Sequence, residues 1–111
     1  MDTNLEFTNR VSGDTEVLTL KGALLMANMF GFQSAVRASK APTLVVDMTQ
    51  VPYIDSAGIG VLVGSYVNRD KDGRKLVLVG VNQRVRQALQ VTQVERFFTF
   101  ADALPPEAAG A

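Results

Sequence analysis

The chain contains no cysteine and no histidine. Their absence removes the thiolate and imidazole ligands that dominate zinc and copper sites, so a metal could be held only through oxygen. Disulfides are excluded, and the fold must rest on packing alone. Without histidine the usual general base is gone and a Ser-His-Asp hydrolase cannot be assembled. An enzyme complete in itself is not expected, nor is a cofactor. An excess of one charge is also missing, since eleven Lys+Arg balance eleven Asp+Glu. That balance offers no net field for gripping a phosphate backbone or anionic lipid, so direct nucleic-acid binding is not expected. The longest Gly-inclusive apolar run, Ala57 to Gly64, falls far short of the ~20 residues of a membrane span. Met1-Asp2-Thr3-Asn4 has neither the basic nor the apolar region of a secretory signal. A cytoplasmic location is the expectation.

What is present is the composition of one soluble domain: 111 residues, 47% apolar and 20% charged. A chain of this size buries roughly 65% of its unfolded surface, enough for a single core. The domain is expected over residues 1–104, with the Pro/Ala/Gly-rich segment 105–111 as a frayed tail.

Two early segments alternate as strands, Leu5 to Thr8 and Glu16 to Leu20, with Ser12-Gly13-Asp14 as the turn of an antiparallel hairpin. Met29, Phe32 and Val36 then recur at helical spacing in a helix expected over 25–38. Thr43 to Met48 is apolar without alternation, the mark of a central strand buried on both faces. Ile59, Leu62, Val63, Tyr66 and Val67 give a second helix after Ser56, closed by the polar run 68–73. Lys75 to Val79 reads as another buried strand, Asn82 as the N-cap of a short helix, and Phe97 to Phe100 as a last strand before a helical turn at 102–104. The pattern implies an α/β domain of one mixed sheet, parallel at its centre and antiparallel at the N-terminal hairpin, packed with about four helices.

The segment Val51 to Gly60 is the most unusual of the chain. Gly58 and Gly60 begin a G-x-G pattern, but Val63 stands where the dinucleotide fingerprint needs glycine. No Gly-Lys pair exists for a P-loop, and Ile59 replaces the lysine of a Ser-x-x-Lys acyl enzyme. Ser56 is expected to cap the second helix, and Gly58, Gly60 and Gly64, each costing roughly 1 kcal/mol of helix propensity relative to Ala, are expected to permit close packing. A helix start is also a favourable place for a phosphoryl group, because free amides and the macrodipole stabilise its charge. Ser56 is therefore a candidate phosphoacceptor.

Tyr53-Ile54-Asp55-Ser56-Ala57-Gly58-Ile59-Gly60-Val61-Leu62 resembles the signature of STAS domains, in particular bacterial anti-sigma factor antagonists. Val17 to Gly22 resembles that family's second strand and the glycine after it, Leu44 to Asp47 its central strand, and Ala88 to Phe97 its C-terminal helix-to-strand passage. The resemblance covers about residues 5 to 104. It implies that Ser56 is phosphorylated by a partner that is both an anti-sigma factor and a serine kinase. The unmodified protein would sequester that partner, and a serine phosphatase would restore binding after phosphorylation. It further implies a partner-facing surface of Asp55, Ser56, Ala57, Gly58, Ile59 and Gly60, extended by Leu25 and Met26. Two positions depart from the family: Leu25 stands where many members have an acidic residue, and Gln93 where glycine is common. The alternative expectation is a non-switching STAS scaffold, a subunit of a signalling complex or of a transporter-associated assembly, with Ser56 only a cap.

Other motifs are structural. Asp70-x-Asp72-Gly73 lacks the later glutamate of a calcium loop and reads as a turn. Seven basic and three acidic residues between 69 and 96 read as a solvated face.

Overall fold

The computed structural model describes residues 4–104; the expected tail lies outside them. Strands β1 (Glu6–Ser12) and β2 (Thr15–Lys21) form the antiparallel hairpin, with Gly13 supplying the left-handed turn residue at φ 59°. Helix α1 (Met29–Ala38), strand β3 (Thr43–Gln50), helix α2 (Ser56–Lys71), strand β4 (Lys75–Val79), helix α3 (Gln83–Val91), a 3₁₀ turn (Glu95–Phe97) and strand β5 (Thr99–Ala101) follow. The sheet order is β1-β2-β3-β4-β5, parallel from β2 onward, with β3 at its centre as expected.

Parallel strands laid down in sequential order by crossovers of one hand place their connecting helices on a single face. The core shows this directly. Leu18, Leu20, Leu44, Val46, Met48, Leu76 and Leu78 point to one side of the sheet and pack against Phe32 and Val36 of α1, Val61 and Leu62 of α2, and Val85 and Leu89 of α3. The alternate residues Val17, Val45 and Val79 form a small separate cluster on the other side. Burial on both faces explains why β3 and β4 read as continuous apolar runs.

Three differences from the expected elements have local causes. Helix α1 starts at Met29, not Leu25, because Asn28 holds the preceding residues in a turn: its Oδ1 accepts from the amide of Leu25 at 3.0 Å and its Nδ2 donates to the carbonyl of Ala23 at 3.0 Å. Phe97 closes a 3₁₀ turn, so the last strand begins at Thr99. Residues 102–103 form a bend, which leaves three α-helices among the described residues and not about four. Leu104 precedes Pro105, and a residue before proline is pushed out of the helical region.

Arg69 is 4% exposed despite its charge. Its Nε donates to the carbonyl of Lys75 at 2.9 Å, Nη1 to that of Ser39 at 3.3 Å and Nη2 to that of Ala41 at 2.5 Å. One guanidinium thereby fastens the end of α2 to the α1–β3 connection and to the start of β4. The charge pattern, read as a solvated face, gave no sign of this residue.

Candidate functional site at the start of helix α2

The parallel strands β2 and β3 deliver their C-terminal ends side by side, so the loops that follow them meet. Leu24 forms an isolated parallel bridge with Ile54, and its amide donates to the carbonyl of Tyr53 at 3.3 Å. This contact brings Leu25 and Met26 against the start of α2, more than two dozen residues later in the chain.

Asp55, not Ser56, caps the helix. Its Oδ1 accepts from the amide of Gly58 at 2.8 Å, the bond expected of an N-cap aspartate, and its Oδ2 accepts from the amide of Met26 at 3.0 Å. Burial pushes the carboxyl's pKa up, but the backbone N–H groups of Met26, Gly58, Ala57 and Asp55 itself outweigh that effect and hold it below the usual carboxylate value. The carboxylate is thus a charged clamp between two loops as well as a cap. An Asp three residues before Gly58 already satisfies the residue preference for an N-cap, and that signal was available in the sequence.

Relieved of capping, Ser56 occupies the first helical position, exposed, with no hydrogen-bond partner for its hydroxyl among the described residues. Around it the expected surface divides. Gly60 and Met26 are exposed, the latter at 66%, and Phe30 in the first turn of α1 is exposed at 64%. Leu25, Asp55, Ala57 and Ile59 are half-buried, with Ile59 packed against the main core.

Gly58 is buried. A Cβ there would overlap the carbonyl oxygen of Leu24 and press on Ile54 at 3.2 Å. The close approach that this glycine permits is to the chain's own β2–α1 loop and not to a visiting backbone. Gly60 and Gly64 meet nothing within 4 Å, so the expected close packing does not apply to them.

Residues 6–105 match the family model described as STAS domain. A curated relative, the anti-sigma-B factor antagonist of Listeria monocytogenes, is 37% identical over 49 residues, which are 44% of this chain and 43% of the relative. The aligned part therefore spans less than half the length of that relative. Among solved structures, Bacillus SpoIIAA in its phosphorylated form superposes with a TM-score of 0.68 at 17% identity, covering 87% of this chain and 92% of the other. An anti-sigma factor antagonist from Mycobacterium paratuberculosis superposes with a TM-score of 0.81 at 18% identity, covering 96% of this chain and 93% of the other. At these identities the structural likeness speaks for the fold.

Proposed function

The chain belongs to the STAS-domain family, and from that membership we propose that it is an anti-sigma factor antagonist whose binding is switched by phosphorylation of Ser56. One observation carries the reading. The Ser56 hydroxyl is exposed and uncommitted at the start of α2, because Asp55 has taken over the capping bond. A serine that capped the helix would have to surrender a stabilising interaction to accept a phosphoryl group. This one does not.

The domain catalyses nothing in this reading. A kinase delivers the γ-phosphoryl group of a nucleoside triphosphate to Ser56 Oγ, the hydroxyl proton leaves with the kinase's base, and the diphosphate departs. The added group carries a charge of about −1.5 to −2 at pH 7. The helix macrodipole favours that charge at this position, so the fold survives modification. A partner docked over Ser56 would have to bury the new charge next to the Asp55 carboxylate. Losing about 3 kcal/mol of binding in this way weakens a complex more than a hundredfold. Met26, held against the start of α2 by its amide's bond to Asp55, supplies exposed apolar contact area beside the switch, the kind of side chain enriched at interfaces. The partner is an anti-sigma factor with serine kinase activity, and a serine phosphatase resets the system.

The test is made in the native cells. Mass spectrometry should find a phosphopeptide containing Ser56, and a Ser56→Ala bait should retain an anti-sigma factor that a Ser56→Asp bait releases. Equal retention by both baits would reject the switch and leave the scaffold reading.

A further inference from the structure

At the opposite end of the sheet from Ser56, the C-terminal ends of α1 and α2 and the turn before β4 line an open cavity of about 400 Å³. Strand β3 alone, eight residues long, separates the two ends by roughly 25 Å. Arg37, Lys40, Lys71 and Arg74 line the cavity together with the buried Arg69, and Asp72 is the one acid among its lining residues. Asp72 is already bound to Arg74 at 3.4 Å. Arg37, Lys40 and Lys71 have no ion-pair or hydrogen-bond partner among the described residues. In a chain of zero net charge, this is a strong local concentration of cations.

Cations in the last turn of a helix offset its macrodipole, which accounts for Arg37 and Lys71. It does not account for Lys40 and Arg74, which lie beyond the helices. Several of the nearby carbonyls are occupied: those of Ser39 and Ala41 by Arg69, that of Val36 by the Ser39 amide and that of Arg69 by the Arg74 amide. Arg74 also lies close enough to Arg69 to disfavour its charge, second to burial, a repulsion that a bound anion would relieve.

We propose that this cavity binds the phosphoryl group of a small molecule, its oxygens held by Arg37, Lys40 and Lys71. Unpaired cations around a concave site match a compact oxyanion of charge near −2 better than an extended acidic chain. The site is separate from the Ser56 surface and stands independently of the switch proposed there.

The test is an NMR titration of the full chain with inorganic phosphate, pyrophosphate and ATP in turn, each against sodium chloride of equal ionic strength. Saturable shifts confined to the amides of residues 36–41 and 68–75 are expected for at least one of the three. The probe that binds tightest distinguishes free phosphate from a phosphorylated metabolite. In the exposed double variant Arg37→Ala/Lys40→Ala the affinity should fall at least tenfold. Three results would overturn the proposal: no saturation by any probe, an unchanged titration in the double variant, or shifts that chloride reproduces. A polyglutamate peptide that saturates the same amides when all three probes fail would assign the cavity to an acidic protein segment instead.

Discussion

The amide of Met26 donates to Oδ2 of Asp55 at 3.0 Å across 29 residues of sequence. Through that bond the loop bearing the exposed Met26 is tied to the carboxylate that starts the Ser56 helix. Cap, loop and the start of the Ser56 helix therefore form one unit, and a change to any of them can be followed separately.

Asp55→Ala should destabilise the domain by about 1–2 kcal/mol at pH 7, since it removes a cap and a cross-loop bond together. The folded-state pKa of Asp55 is lowered, so the unfolded chain binds the proton more tightly and the carboxylate's stabilisation is present above the unfolded value of about 4. It is lost as pH falls through the lower folded value. Chemical denaturation from pH 7 down to pH 3 should accordingly show the gap between parent and variant closing in acid. A gap independent of pH would mean that the charge is immaterial.

Two neighbouring glycines should respond oppositely to the same substitution. Gly58→Ala forces a Cβ into the Leu24 carbonyl and should cost about 1–3 kcal/mol, as overpacking does. Gly60→Ala meets open space on the helix surface and should stabilise by up to about 1 kcal/mol. Thermal melts of the two variants side by side decide the matter, and the order of their Tm values is the prediction.

Gln93 adopts φ 62°, a left-handed conformation unusual for a residue with a side chain. It follows α3 and its C-cap Thr92, a place where glycine commonly ends a helix. Gln93→Gly should raise stability by about 0.5–1 kcal/mol, read as a shift in the urea midpoint at constant m-value. A lower midpoint would show that the glutamine side chain makes a compensating contact.

Ser56→Ala should leave the Tm within the change expected for ±0.5 kcal/mol, because the hydroxyl caps nothing. If the proposed switch operates, incubation with the serine kinase proposed as its partner should label the parent and not this variant. A stability loss near 1 kcal/mol would return the capping role to Ser56.

Replacing Arg69 with Met should cost about 3 kcal/mol or more, since the buried carbonyls of Ser39, Ala41 and Lys75 lose their shared donor. Arg69→Lys should recover only part of this, because a single ammonium lacks the planar fork that reaches three acceptors. Equilibrium denaturation of both variants provides the check.

The strands, the Asn82 cap and the setting of Ser56 at a strand–loop–helix junction were all legible in the residues, because they depend on local period and local turn chemistry. The Asn82 cap, for instance, is fixed within four residues, its Oδ1 accepting from the amide of Val85 at 2.8 Å. The identity of the α2 cap is not decided by local pattern, because two polar residues adjoin there. Asp55 and Ser56 are both good caps in isolation, and the choice fell to Asp55 when its second oxygen found the Met26 amide.

The sequence by itself determined a cysteine- and histidine-free α/β domain with an Asp-Ser pair opening its longest helix, since composition and hydrophobic period are properties of the chain in order. Tertiary structure alone decided that Gly58 is spent on Leu24, that Arg69 is buried among three carbonyls, and that five cations gather around Ser39. Each of those facts joins segments brought together by parallel strand pairing. Parallel neighbours need a long crossover, so the groups that meet at either end of the sheet are distant in sequence, and no local pattern records them.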